Sequence, residues 1–372
     1  MKLKYLPVLF LATFITSIQF CLGQLNPKIE PIVKQFEDQI NADLIKDNLH
    51  GGISAAIVKN DRVDWSGAFG YAKRGKDIPA TTGSIYRIGS ITKTFTATLL
   101  MLLVEDGKLK LDDLVENYLP EIKNLQGYDA NHKITFRQLA SHTSGLNREP
   151  DMKDFDVGPL EQWEEKLLSC IPHTSFNSKP GEQFLYSNIG YALMGLAISR
   201  AAGVPYMQLV QQRILAPLHM NDTFFALPND KMSRLAEGIA NNGANVNTAR
   251  PLAELKGRGY KVPNGGIYTT PNDLAKFVMS LMGKPSLLTA KSRKQMLIIP
   301  PGGNNYGFGI GIFNTPTLKA IGHNGGVPGY TATYYIEQDS GYAVIMMRNY
   351  NNGGTNMDEV SLDLLKQLKQ PD

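Results

Sequence analysis

The sequence predicts an α/β (α+β) fold of two lobes, one holding a sheet assembled from both chain ends and the other mostly helical. Three observations predict it. Two strand patterns joined by a tight turn follow the first helix, and three more alternate just before the last helix. Between them, apolar residues recur at helical spacing. On this reading residues 24–88 and 300–372 form a discontinuous sheet lobe, and residues 89–299 form the helical lobe. A site is expected in the cleft where the two meet.

Within 27–48, Ile29, Ile32, Val33, Phe36, Ile40, Leu44 and Ile45 keep helical spacing, and Gly51-Gly52 reads as the stop. Residues 53–58 and 63–71 read as strands joined at Asn60-Asp61. Ile91, Phe95, Leu99, Leu102 and Leu103 predict a buried helix that starts near Ser90 and stops at Asp106-Gly107. A loop and short helix are expected over 109–122, then another short helix to Leu139 with Thr135 as its cap. Residues 147–157 are polar and irregular, a surface loop beside the site. Helices follow at 160–168, 189–202, 206–214 and 271–282. Strands are expected at 318–323, 330–336 and 342–347, and a last helix at 357–368.

A content of 42% hydrophobic and 19% charged residues in 372 describes a globular protein, not a disordered or fibrous one. The formal charge of +4 falls to +2 without Lys2 and Lys4, and no basic cluster stands out, so nucleic acid is not an expected partner. None of the six histidines has a His-x-x-x-His partner; no metal and no cofactor are expected. Met1-Lys2-Leu3-Lys4, the apolar run 5–20 and Cys21-Leu22-Gly23-Gln24 read as a secretory signal over 1–23, cleaved near Gly23-Gln24. The expected location is periplasmic or secreted, with no stable membrane span after cleavage. An uncleaved anchor and a lipid on Cys21 are the alternatives, the latter disfavoured by bulky Phe20. Cleavage leaves Cys170 as the only cysteine. Flanked by Leu167, Leu168 and Ile171, it reads as a small buried apolar residue rather than a thiol nucleophile.

Three stretches carry chemistry. The first is Ser90-Ile91-Thr92-Lys93, the only place where lysine follows serine by three. On a helix the two share a face, and a lysine amine whose pKa is depressed by burial can take the proton of a serine nucleophile. Ser90 as a plain helix cap is the alternative. The second is Tyr186-Ser187-Asn188, which sets a phenol and an amide on one side of an extended segment. A phenolate beside a lysine can accept a proton, and the amide can orient the lysine and a substrate carbonyl. A merely packed tyrosine is the alternative, and Tyr350-Asn351-Asn352 repeats the pattern. The third is His323-Asn324-Gly325-Gly326, where a glycine pair lets another backbone approach and the Gly326 N–H could donate to an oxyanion.

In this order and spacing, the three stretches resemble the serine β-lactamase and DD-peptidase (penicillin-binding-protein-like) superfamily, in its class C-related branch. That branch also holds D-amino-acid peptidases and family VIII esterases. The resemblance runs from about Gly51 to Asn349. It takes in Tyr86-Arg87-Ile88-Gly89-Ser90, the segment Leu139-Ala140-Ser141-His142-Thr143-Ser144-Gly145-Leu146, Pro180-Gly181, and Pro263-Asn264-Gly265-Gly266 ahead of Asp273-Leu274. It implies a β-lactamase/transpeptidase-like fold, an antiparallel sheet flanked by helices with the active site at the lobe boundary. It further implies Ser90 as acylated nucleophile, Lys93 as its proton-transfer partner and Tyr186 as general base. Asn188 would position Lys93 and the substrate amide, and the Ser90 and Gly326 N–H groups would form the oxyanion hole. His142 and Gly145 fall in a segment taken as structural.

One departure bears on substrate. Class C enzymes typically carry Lys-Thr-Gly where this chain has His323-Asn324-Gly325. A histidine partly charged near neutral pH and an asparagine amide donor then replace a fixed cation and a hydroxyl. The function implied is a secreted serine hydrolase forming an acyl-enzyme on small amides or esters. D-amino-acid peptides of cell-wall type come first, simple esters second and β-lactams third. A non-turnover penicillin-binding sensor or scaffold is the rival from another class. Specificity is expected to rest on the loops 147–157 and 241–261.

Overall fold

The computed structural model describes residues 26–239, 257–351 and 353–370. The leader, the cleavage point and most of the 241–261 loop lie outside the described residues. The chain opens with helix α1 (Glu30–Asp47), which buries Val33, Phe36 and Ile40. It ends not at Gly51-Gly52 but at Asn48, which takes the left-handed conformation at φ 49°. Gly52 instead begins strand β1 (Gly52–Lys59), which turns at Asn60-Asp61 into β2 (Arg62–Lys73). Two short strands, β3 (Ile78–Pro79) and β4 (Tyr86–Arg87), lead to a 3₁₀ turn at Gly89–Ile91 and helix α2 (Thr92–Glu105). Helix α3 (Phe136–Ala140) carries the expected cap as a full capping box between Thr135 and Gln138. Helices α4 (Trp163–Cys170), α5 (Asn188–Ala202) and α6 (Tyr206–Val210) follow, the last continued by a π-helical turn at Gln211–Leu215. Strand β5 (Tyr268–Thr269) pairs with β4 in a small second sheet, ahead of helices α7 (Pro271–Met282) and α8 (Ala290–Met296). Strands β6 (Gly311–Asn314), β7 (Lys319–Val327), β8 (Tyr330–Glu337) and β9 (Tyr342–Arg348) precede the closing helix α9 (Met357–Lys369).

The large sheet runs β3-β2-β1-β9-β8-β7-β6 with every pair antiparallel. Strand β1 lies between β2 and β9, so both chain ends build one sheet, as the pattern predicts. The period-2 alternation then divides the core. Ile53, Ala55 and Ile57 of β1, with Val344 and Met346 of β9, face α1 and α9. Ala56 and Val58, with Ala343, Ile345 and Met347, join the larger core that contains α2, α5 and α7. Sequence periodicity missed β3, β6 and α8, each too short to express a period.

Helix α2 is buried from Thr92 to Leu103. Its threonines are spent on neighbouring chain: Thr94 Oγ1 donates to Gly309 O at 2.7 Å, and Thr96 Oγ1 to Pro263 O at 2.6 Å. Phe95 stacks on Phe277 of α7 with ring centroids 3.7 Å apart. The helix that follows Ser90 is thus locked from several sides. Cys170 is buried as expected, and burial pushes its thiol up to about 11. Among the described residues no helix is long and apolar enough to cross a membrane.

Candidate active site

Ser90 sits in the middle of the 3₁₀ turn, half-buried, with α2 starting two residues later. Its hydroxyl does not cap the helix: neither the turn nor α2 has a side-chain cap bond, which removes the plain N-cap reading. Glycine brings this turn against β7. Gly89 has φ +50°, and a Cβ there would lie 2.9 Å from Gly326 N. A Cβ on Gly325 would lie 1.9 Å from Ile88 O and 2.9 Å from Ser90 N. Only glycines allow two backbones to come this close, and the contact sets Ser90 N beside the Gly325-Gly326 segment.

One turn along, Lys93 is completely buried with its Nζ 3.0 Å from Ser90 Oγ. The same nitrogen donates to Asn188 Oδ1 at 2.8 Å and to the backbone carbonyl of Asn264 at 3.0 Å. Both of those oxygens can only accept. A neutral amine that gives its two N–H bonds to them has its lone pair left for Ser90. Burial holds the Lys93 amine well below its ordinary range, aided by the Arg148 and Lys261 charges and opposed by Glu149.

Asn188 opens α5, and its approach is set by the preceding turn. Ser187 caps α5 through Gly190 N, and the Ser187 N–H donates to His142 Nδ1 at 3.0 Å. His142 therefore carries its proton on Nε2, which has no hydrogen-bond partner among the described residues. Its ring lies 4.2 Å from that of Tyr186, and Tyr191 and Tyr306 close the group at 4.9 Å each. The Tyr186 ring packs 4.8 Å below Lys93 Nζ and 4.8 Å from the Arg148 guanidinium. Burial pushes its phenol up to about 12, against a smaller downward pull from its hydrogen bond with Ser90. At rest Tyr186 is a phenol. Lys93, not Tyr186, is the group whose pKa is shifted toward a base at rest.

The third stretch divides. His323 is buried and faces the cluster; its Nδ1 hydrogen-bonds the carbonyl of Asn324, which fixes the proton there, and Tyr306 Oη donates to Nε2 at 2.8 Å. Burial brings His323 down to about 4. The expectation of a partly charged histidine is corrected: it is neutral at pH 7. Strand alternation turns Asn324 to the opposite face, where its Nδ2 donates to Asp358 Oδ2 of α9 at 2.7 Å. The predicted amide donor is thus not brought to Lys93. Gly325 seats against the nucleophile turn, and Gly326 has open space where a Cβ would stand.

Sequence reasoning missed Glu149 and Asn264. Asn188 Nδ2 donates to Glu149 Oε1 at 2.7 Å, Tyr260 Oη donates to Oε2, and Lys261 Nζ lies 3.1 Å from Oε1. The polar 147–157 loop was the signal that placed Glu149 near the site; nothing in its own spacing marked it.

His142 and His323 are both held neutral by burial, so both bind protons more readily in the unfolded chain. Depressed folded values contribute stability present above the unfolded value near ~6.5 and lost as pH falls toward the folded value. For His323 that window runs from there down to about 4. It corresponds to a loss of order 3 kcal/mol at its acid end. Urea unfolding at pH 7 and pH 4.5 should show a steeper loss in wild type than in His323→Gln. Equal slopes would remove this account.

Comparisons with known proteins place the chain in a family. The chain is 29% identical over 325 residues to Protein flp of Staphylococcus aureus (strain N315), covering 86% of this chain and 63% of that protein, so it spans less than two thirds of its relative. The octameric penicillin-binding protein homologue from Pyrococcus abyssi superposes with TM-score 0.77 at 28% identity, covering 90% of this chain and 77% of the other. D-amino acid amidase from Ochrobactrum anthropi SV3 superposes with TM-score 0.75 at 25% identity, covering 91% and 99%. Residues 38–367 match the family described as Beta-lactamase, and with the sheet, the helical layer and the Ser90–Lys93 pair at their junction, this chain belongs to the beta-lactamase family of hydrolase-fold proteins.

Proposed function

We propose that the protein is a serine hydrolase that forms an acyl-enzyme on Ser90 with small amides and esters. D-amino-acid amides and short cell-wall-type peptides come first, simple esters second, and β-lactams as a slow third. The observation that carries the reading is the Lys93 amine, buried, held by two carbonyl acceptors and 3.0 Å from Ser90 Oγ. Ser90 Oγ attacks the substrate carbonyl carbon and its proton moves to Lys93 Nζ. The developing oxyanion accepts from the N–H groups of Ser90 and Gly326. Tyr186 gives its phenolic proton to the departing nitrogen or oxygen and regains one from Lys93, so the leaving group departs with the proton Ser90 lost. Water then attacks the acyl ester, the same groups carry its proton, and Ser90 Oγ leaves. The neutral His323 leaves this position without a fixed cation, which supports peptide, amide or ester hydrolysis ahead of β-lactam turnover. The D-amino acid amidase likeness supports the preference for amides. The leader pattern alone supports action outside the cytoplasm.

Intact-protein mass spectrometry after treatment with a fluorescent penicillin and with a fluorophosphonate tests it. A covalent mass gain in wild type that is absent in Ser90→Ala is expected, together with release of ammonia from D-amino-acid amides. Turnover unchanged in Ser90→Ala would sink the nucleophile assignment. Labelling without turnover of any amide, ester or penicillin would favour a binding protein.

A further inference from the structure

The geometry points to Glu149 as a positioning residue that dictates which end of the Asn188 amide faces Lys93. This rests on the reading of Lys93 as the base for Ser90. An asparagine amide is nearly symmetric in shape but not in chemistry: one end accepts and the other donates. Here Oδ1 receives Lys93 Nζ at 2.8 Å while Nδ2 donates to Glu149 Oε1 at 2.7 Å. A carboxylate only accepts, so the reverse orientation would set Asn188 Oδ1 against Glu149 and an N–H group against the Lys93 amine. The contact with Glu149 would turn repulsive, oxygen against carboxylate. A reversed amide would also offer Lys93 a donor, which would compete with Ser90 for the amine lone pair.

Glu149 is itself held to this task. Tyr260 Oη donates to Oε2 and Lys261 Nζ approaches Oε1 at 3.1 Å, with the Glu149 side chain 24% exposed. Tyr260 is buried and, with burial and the neighbouring carboxylate keeping its proton on, remains a donor. The backbone adds a second tie, since Asn188 N donates to Arg148 O at 2.9 Å. Adjacent residues of one loop thus grip both the main chain and the side chain of Asn188. Glu149 also acts through charge. The titratable and charged groups around Lys93 are Glu149, Arg148 and Lys261 from the loops, with Tyr186, Tyr191, His142 and His323 closing the buried side. Of the charged ones, Glu149 alone raises the Lys93 pKa. Its charge and its orienting role therefore separate by variant.

Glu149→Gln removes the charge but keeps an oxygen able to accept from Asn188. Glu149→Ala removes both. Kinetics with a D-amino-acid amide or a p-nitrophenyl ester across pH, on the full chain, distinguish the two effects. In Glu149→Gln, the acidic limb of kcat/KM is expected to move down by about half to one pH unit, with kcat retained within about threefold. In Glu149→Ala, kcat is expected to fall about 10- to 100-fold with KM little changed, since Asn188 Nδ2 has lost its acceptor. Thermal unfolding of each variant checks that the fold is intact, and the Gln variant carries the test alone if the Ala variant does not fold. A limb that stays in place in Glu149→Gln, or a folded Glu149→Ala with wild-type kcat, would overturn the inference. Fluorophosphonate labelling keeps the two readings apart. Labelling of Ser90 in all three proteins with unmoved kinetics overturns the role of Glu149 alone, whereas no Ser90 labelling in wild type overturns the nucleophile reading and this inference with it.

Discussion

Lys93→Met should lower kcat/KM by about 10³- to 10⁴-fold while leaving the melting temperature equal to or above that of wild type. The two halves of this result have one cause. Lys93 is completely buried, and its amine is held by Asn188 Oδ1, Asn264 O and Ser90 Oγ rather than by a carboxylate partner. An amine taken out of water and kept short of a direct counter-ion loses its hydration on folding, and an apolar side chain of similar length fills the same dry space without that cost. The acceptors left behind are one backbone carbonyl and one side-chain amide oxygen, whose lost bonds offset part of that gain. Chemistry has no such substitute. Burial holds Tyr186 as a phenol up to about 12, and His142 Nδ1 is already taken by the Ser187 N–H, so no second base stands ready for the serine proton. Steady-state kinetics with an amide and an ester, paired with thermal unfolding, read both halves. Activity within tenfold of wild type would mean that Lys93 is not the base. Ser90→Ala should add little to the loss, because the two residues act as one unit.

Gly325→Ala should cost both stability and rate, by about 1–3 kcal/mol and about 10²- to 10³-fold in kcat. The new Cβ would stand 1.9 Å from Ile88 O and 2.9 Å from Ser90 N, both backbone atoms that cannot swing aside. The nucleophile turn and β7 must then separate. The turn is tied on its other side by Ile88 N donating to Ile267 O at 3.1 Å, and β7 is paired along its length with β8, so neither moves freely. Any separation spreads the Ser90 and Gly326 N–H groups proposed to meet one oxyanion. Gly326→Ala is the stability control, for a Cβ there meets nothing within 4 Å and the melting temperature should match wild type. Urea midpoints and kcat for the two variants make the comparison; a Gly325→Ala protein as stable as Gly326→Ala would show that the close approach is not needed.

The long, strongly periodic elements were legible in the chain: α1, α2, α5, α7 and α9, and the five longest strands that join the two chain ends in one sheet. Ser90, Lys93, Tyr186 and Asn188 were legible as candidates because their short motifs, taken together and in order, carry the resemblance to the family, where each motif alone left a structural alternative open. Glu149 was not, because its contact with Asn188 spans 39 residues and no local pattern encodes it. Asn264 was quoted for its segment but contributes a backbone carbonyl to Lys93 across 171 residues, a role independent of its side chain.

What the sequence by itself determined was which side chains a site could draw on and in what order, since hydroxyl, amine, phenol and glycine are covalent facts and helical or strand periods place near neighbours. Tertiary structure alone decided their electrical state. Burial made Lys93 a candidate base, kept Tyr186 protonated and made His323 neutral, and the pleat of β7 turned Asn324 away toward α9. The reason is physical: a pKa depends on solvent removed and charges gathered from distant parts of the chain, and neither quantity exists until the chain has folded.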